Sequence, residues 1–418
     1  MTSLSLDRCV ALAGGILIVL GSGVFAVADV PLARSLAALL LVVWVLLRSL
    51  AAGRSLALPG FILPSLALVA LMVAGLVVTD APLYGAWKCL LIAVHWVAVP
   101  IAFLSLARRE KVLESFIAGL GVGGLLYGAL LYVTEGSPIA LLTDTSRFFR
   151  LAAESQNPIY LGRVLGVSLL ALFWVAGARA FGRLRLVAVL CVPPLLGYLA
   201  ATASKGPILG FLAGAAAYGA ATRTAVGRFA AAALVGVLLF GLLLSYGALP
   251  PGSLGGLRVV STAALSIEQR VEGWERAGEG FSSGGLAAML LGHGTGDFAH
   301  YDRGRDVRHY PHNAFLEVLY ENGVAGLMLL VWFLAWPLSR LARLSEVALS
   351  RPSVRRLVAL GIGFYVFALA NAQVTGDVST NELVPLSCAF ILAVTRLPLA
   401  NAGTETLRGG IDLARAAG

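Results

Sequence analysis

Long runs of apolar residues, separated by short polar segments, recur along the whole chain. Most runs have the roughly 17–25 residues that a helix needs to cross a hydrocarbon core. They lack the strict alternation of apolar and polar residues that a membrane β-barrel requires. The pattern predicts an all-α polytopic membrane protein with about twelve spans, at residues 9–30, 32–48, 61–79, 84–107, 112–134, 158–178, 186–202, 206–221, 229–247, 313–338, 356–374 and 382–399.

Composition excludes a soluble protein, since 59% of the 418 residues are hydrophobic and only 13% are charged. The net charge of +9 comes mainly from Lys and Arg in the loops after even-numbered spans. Short cytoplasmic loops carry such an excess. The N- and C-termini are therefore predicted to be cytoplasmic, and the first apolar run is interpreted as a retained span.

Two segments on the opposite, outward side are long, at residues 135–157 and 248–311. Long loops are often functional. The second has ordinary polar composition and is predicted to form a subdomain before the tenth helix, with a helix around 266–281. The predicted organisation is nine spans in 1–247, the loop subdomain 248–311, three spans in 312–399 and a cytoplasmic tail 400–418.

The outward side carries cations that oppose the usual charge bias. Arg147 and Arg150 lie in the first long loop, and Arg308 in the second. Arg163 lies inside the sixth span, where a charge usually indicates function; the alternative is a side chain that reaches the interface. Arginine donors match phosphate oxygens, although loop arginines also pair with nearby Asp and Glu.

His312 is the candidate catalytic residue, at the mouth of the tenth span. On a helix it would share a face with Leu316, Tyr320 and Gly323. An imidazole there can take a proton near neutral pH. The alternative is a histidine with a structural role only, either capping the helix or lying at the membrane interface. Glu317 and Glu321 are possible supporting residues, either paired with arginines of the large loop or at the water interface.

The sequence contains few of the motifs expected for a metal site or a nucleotide-binding site. No HExxH or Asp-x-Asp occurs, although His293, His300 and His309 lie in one loop. His95 is interpreted as a packed polar group. The glycine-rich segments 119–124 and 292–296 do not follow strands, so they are not phosphate loops. No metal and no cofactor is predicted.

The string His312-Asn-Ala-Phe-Leu-Glu, continuing to Gly323 and Gly326, resembles the histidine signature of the O-antigen ligase and polymerase superfamily. Arg270-Val-Glu-Gly-Trp274, followed by Leu291-Gly-His-Gly-Thr-Gly-Asp-Phe, is similar to a second stretch of that family. Thr202-Ala-Ser-Lys205-Gly resembles its Ser-Arg-Gly opening, with lysine in place of arginine.

The resemblance implies an inverting, metal-independent glycosyltransferase of the GT-C type in the Gram-negative inner membrane, active at the periplasmic face. Its donor would be a glycan on undecaprenyl diphosphate and its acceptor the lipid A-core, as in lipopolysaccharide biosynthesis; no nucleic acid is implied. His312 would deprotonate the acceptor. The donor diphosphate would contact Arg163, Lys205, Arg270, Arg147 and Arg150, with Arg308 and Trp274 in support.

Three alternatives stay open. An O-antigen polymerase or a protein O-oligosaccharyltransferase of the same superfamily would share these motifs. A transporter or flippase for an anionic lipid belongs to another class, and it would need charged pairs at the bilayer midplane. The absence of a visible internal repeat weakly disfavours that reading.

Overall fold

The computed structural model describes residues 3–23, 42–51, 53, 60–143, 158–178, 181–202, 204–222, 263–374 and 377–397. Within these ranges every regular element is helical, which confirms the predicted all-α class. The helices are α1 Ser3–Gly23, α2 Val42–Ala51, α3 Ile62–Gly75, α4 Pro82–Leu106, α5 Glu110–Glu135, α6 Pro138–Thr143, α7 Pro158–Gly177, α8 Leu184–Ala201, α9 Lys205–Ala221, α10 Ala263–Ser283, α11 Leu286–Leu291, α12 Asp297–Arg303, α13 Ala314–Ala342, α14 Glu346–Ser350, α15 Pro352–Ala372 and α16 Leu383–Leu397.

Six helices of the described part are long and apolar enough to cross a bilayer, namely α4, α5, α7, α8, α13 and α15. The helices α2, α3 and α16 are apolar but shorter. The predicted span 229–247 lies outside the described residues, as does the tail. A polytopic membrane protein is therefore supported, while the number of twelve spans stays a prediction.

Glycines bring α1 and α5 into close contact. A Cβ on Gly119 would lie 2.2 Å from the Leu12 carbonyl oxygen, and one on Gly15 would lie 2.4 Å from the Phe116 carbonyl oxygen. Small residues at such crossings let helix backbones approach closely in membranes. The segment 119–124, which has no phosphate-loop context, is thus a helix-packing surface.

The described part of the large loop contains α10, α11 and α12, so the helix predicted around 266–281 is confirmed as α10. The loop returns to the bundle through residues 292–296. The backbone N–H groups of His293 and Gly294 donate to the carbonyl oxygens of Tyr320 (3.1 Å) and Glu321 (3.0 Å) in α13.

Those carbonyl oxygens can accept hydrogen bonds from the loop because α13 is broken at Gly323, where φ is 64° and ψ is −167°. Essentially only glycine adopts this backbone region. A Cβ at Gly323 would also lie 2.4 Å from the Leu290 carbonyl group of α11. The prediction that one continuous helical face carries His312 and Gly323 is therefore wrong: His312 precedes the helix, and the helix is interrupted at Gly323.

We expect Gly323→Ala to lower the thermal unfolding midpoint in detergent, because it adds backbone strain of about 1–3 kcal/mol and a clash with Leu290. Gly278→Ala is the matched control, since nothing lies within 4 Å of the added methyl group. Alanine in a helix is favoured over glycine by about 1 kcal/mol, so the control should hold or gain stability. Equal midpoints for the two variants would contradict this account.

Candidate active site

The turn before α13 sets the position of His312. Asn313 caps the helix, because its side-chain oxygen accepts hydrogen bonds from the backbone N–H groups of Phe315 (3.0 Å) and Leu316 (3.1 Å). His312 itself has φ 60°, and it is the only non-glycine residue with positive φ in the described part of the chain. Strained backbone of this kind clusters at functional sites.

The surroundings of His312 keep its imidazole neutral. The ring lies 4.6 Å from that of Tyr310 between centroids, and Nδ1 is buried without a hydrogen-bond partner. Burial, together with the nearby charge of Arg270, lowers the pKa of His312 to about 4, although Asp377 opposes the shift. The imidazole is therefore free to accept a proton at neutral pH, but its affinity for that proton is lower than the sequence led us to expect.

Asp377 is the acidic centre of the site, and it is 1% exposed. Its carboxylate accepts hydrogen bonds from Arg308 Nε (3.2 Å), the Tyr84 hydroxyl (3.3 Å) and the Thr380 backbone N–H (2.8 Å), as well as from the Ser379 hydroxyl. Burial alone would raise the pKa of Asp377, but the charges of Arg308 and Lys88 lower it. The carboxylate is thus ionised.

Arg308 joins the large loop to the bundle. Besides Asp377, its guanidinium contacts the Tyr160 hydroxyl at 3.4 Å and lies 5.7 Å from the ring centroid of Tyr310. About half of the side chain stays exposed, at 47%. The family resemblance implied only a supporting role for Arg308, yet Arg308 is a partly exposed cation that contacts Tyr310 and Asp377 beside His312.

Arg163 is buried in the first turns of α7 and is 4% exposed. Its guanidinium donates to the Thr380 carbonyl oxygen (3.1 Å) and to the Asn381 side chain (2.8 Å). The side chain is thus enclosed by protein and directed at residues 380 and 381. At least two of its N–H donors bond to residues 380 and 381, so Arg163 anchors the segment between α15 and α16.

The other residues predicted for the donor site lie on different elements of the structure. Lys205 opens α9, whose Pro207 packs against Gly162, the neighbour of Arg163. Arg270 lies on α10, which meets the turn at Pro311 near Gly273. Trp274, one turn after Arg270, has a buried Nε1 without a hydrogen-bond acceptor. The remaining candidates, Arg147 and Arg150, lie outside the described residues.

Glu317 and Glu321 adopt neither of the predicted arrangements. Both are buried and bind Lys88 of α4, with Nζ–Oε distances of 2.5 Å to Glu317 and 2.6 Å to Glu321. Glu317 also accepts the backbone N–H of Val378 at 3.0 Å. Pairing with loop arginines was wrong because both side chains turn towards the interior of the bundle, where they meet the fully buried Lys88.

Sequence reasoning missed Lys88 and Asp377. Lys88 could have been found, because it is a charge inside an apolar span, the same signal that singled out Arg163. Asp377 gave no comparable signal, since a lone carboxylate in a short loop is ordinary. Its importance depends on long-range contacts with Tyr84 and Arg308.

The remaining histidines have structural partners. His309 lies 2.6 Å from Asp302, His293 stacks on Tyr320, His300 lies 3.6 Å from Asp80, and His95 Nδ1 is 3.3 Å from the Ser379 carbonyl oxygen. The last agrees with the interpretation of His95 as a packed polar group. Among the described residues, no group of three or more His, Cys, Asp or Glu side chains could hold a metal ion.

The fold and site define a helical membrane protein whose polar residues converge at the N-terminal ends of α4, α7 and α13. Residues 190–331, about a third of the chain, match the family model described as O-antigen ligase. Over that region the match confirms the resemblance to the O-antigen ligase and polymerase superfamily, whose members transfer glycosyl groups and use lipid-linked glycans. A search of curated proteins found no match.

We expect Lys88→Met to destabilise the protein by about 3–5 kcal/mol, because it leaves two buried carboxylates without their cation. Adding Glu317→Gln and Glu321→Gln to that variant should recover part of the loss. Lys111→Met is the control, since its exposed pair with Glu114 contributes about 1 kcal/mol at most. Thermal unfolding in detergent measures all three, and a Lys88→Met variant as stable as Lys111→Met would contradict the buried ion pairs.

The lowered pKa of His312 predicts that the stability of the folded protein depends on pH. The pKa of a histidine in an unfolded chain is about 6.5, above the folded value of about 4. As the pH falls through this window, the unfolded chain gains the proton first, so stability is lost between about pH 6.5 and pH 4. His312→Gln should lose less stability than the wild type over that range, and parallel unfolding curves would show that His312 titrates normally.

Proposed function

We propose that this protein is an O-antigen ligase, which transfers a glycan from undecaprenyl diphosphate to the lipid A-core oligosaccharide at the periplasmic face of the inner membrane, with inversion. The observation that carries the proposal is the position of His312. A neutral imidazole lies among Arg270, Arg308 and Asp377 at one end of an apolar bundle, inside the region that matches the ligase family.

The cations supply the donor site. Arg308 and Arg270 bind the diphosphate and stabilise the charge that develops as it leaves the sugar. Arg163, whose described contacts are with residues 380 and 381, positions that segment, and Lys205 adds positive charge beside it. Arg147 and Arg150, which lie outside the described residues, stay candidates for the donor through the resemblance alone. Because a diphosphate is a stable anion, its departure needs no proton from the protein.

His312 then acts as general base. The acceptor hydroxyl attacks the anomeric carbon from the face opposite the diphosphate, the bond to the diphosphate oxygen breaks, and the hydroxyl proton passes to the imidazole. An anion bound nearby favours the protonated imidazole. Donor binding therefore strengthens the base that burial and Arg270 weaken in the free protein.

Both substrates carry lipid tails, which agrees with a site where apolar helices begin. The orientation of that end towards the periplasm rests on the distribution of Lys and Arg in the loops. On this proposal the two head groups meet at the membrane surface, while the tails stay among the bilayer lipids.

The deciding experiment uses purified protein in vesicles with undecaprenyl-diphosphate glycan and lipid A-core, without added metal or nucleotide. We expect product on lipid A-core for the wild type and a loss of about 10²–10⁴-fold in His312→Ala, with donor binding retained. Elongation of the lipid-linked glycan without lipid A product would indicate a polymerase. Absence of transfer with movement of lipid across the bilayer would indicate a flippase.

Arg308→Ala should weaken donor binding, and the remaining affinity should depend less on salt, because one exposed phosphate contact is lost. Arg305→Ala is the matched control, an arginine of the same loop that is exposed. Donor titration at low and high ionic strength measures both. If the two variants bind the donor equally well, Arg308 does not belong to the donor site.

A further inference from the structure

The short helix α11 presents apolar side chains to the outside. Its sequence is Leu-Ala-Ala-Met-Leu-Leu, and none of its residues is buried. Leu286 is 74% exposed, Leu290 49% and Leu291 58%. The surrounding segment 280–296 contains no Asp, Glu, Lys or Arg. A soluble loop subdomain would not leave such a helix in contact with water, so its exposure needs an explanation.

The position of α11 along α13 gives its depth. The end of α11 packs against the break, since the Leu290 carbonyl group lies 2.4 Å from where a Cβ on Gly323 would be. From Val324 to Ala342, α13 is predominantly apolar, and at 1.5 Å per residue this part is about 28 Å long. That length matches a hydrocarbon core of roughly 30 Å. The helix α11 therefore lies where the hydrocarbon begins.

Further exposed apolar residues lie at the same level. The turn 76–83 packs against Gly294 and exposes Val77, Val78 and Leu83, of which Val77 is 87% and Leu83 79% exposed. Asp80 of the same turn is 75% exposed and lies 3.6 Å from His300, so it marks the aqueous edge of this surface. Below them, Met328 on the outside of α13 is 67% exposed. The apolar surface thus continues from α11 and the turn onto the outer surface of the spanning helices.

We propose that the apolar side chains of α11 and of the turn 76–83, together termed the interfacial ledge, insert into the bilayer leaflet on the side of the candidate site, with the carboxylate of Asp80 left at the level of the head groups. The occupant of this surface is the upper part of the lipid acyl chains, as for interfacial helices generally. Continuity with the outer surface of α13 favours lipid over a protein partner. The inference depends on the membrane-protein class and not on the proposed reaction.

The test places a small fluorophore on single cysteines in a background with Cys9→Ser and Cys191→Ser, since the other two native cysteines are buried. Leu286→Cys and Leu83→Cys probe the ledge at two independent and exposed positions. Met328→Cys is the lipid-facing reference, and Glu275→Cys on α10 is the aqueous reference. The proteins are placed in phosphatidylcholine vesicles, and quenching by a lipid nitroxide near the head group is compared with quenching by iodide in water.

We expect the labels at 286 and 83 to lose fluorescence to the lipid nitroxide as the label at 328 does, and to resist iodide. The label at 275 should show the reverse. If both ledge labels are quenched by iodide alone, the ledge lies in water and the proposal is wrong. Protection from both quenchers would mean that protein covers the ledge, which equally overturns it. Neither result depends on glycan transfer.

Discussion

The contact between Lys88 and the two carboxylates of α13 is the interaction on which the rest of the site depends. Removing these charges from water is expensive, and it is tolerated only because each side chain has its partner. The contact joins α4 to the first turns of α13. Through Val378, which donates to Glu317, it also reaches the segment that carries Asp377. Three parts of the chain far apart in sequence are therefore held in one arrangement next to His312.

Charges of opposite sign alternate outward from this contact. Lys88 faces Glu317 and Glu321, Asp377 faces Arg308, and the exposed half of Arg308 faces the solvent side. Such a series leaves the cationic end outermost, and on the proposed function this is the end that meets the anionic head group of the donor. The low affinity of His312 for a proton has a separate origin: burial lowers its pKa, and the charge of Arg270 adds to that effect.

The apolar periodicity of the sequence was enough to predict the helical class and most helix positions, because length and hydrophobicity decide which segments cross a bilayer. The motifs around His312 and Arg270 directed attention to the end of the bundle where the structure gathers Asp377, Arg308 and His312. The break at Gly323 was not predictable from periodicity, because a long apolar run predicts one helix whether or not it contains a glycine. The partners of Glu317 were likewise missed, because side-chain pairing between distant helices leaves no pattern in a single segment.

The break in α13 makes a short helix out of residues 314–322, and this has an electrostatic consequence. A helix has partial positive charge at its N-terminus, from the dipoles of its peptide groups. The short helix begins beside His312, while α7 begins at Pro158 close to Arg163, and α9 begins at Lys205. These N-termini lie on the same side of the bundle, so the dipoles of the peptide groups add a positive field there. A phosphate group approaching this end of the protein is attracted before it contacts any arginine side chain.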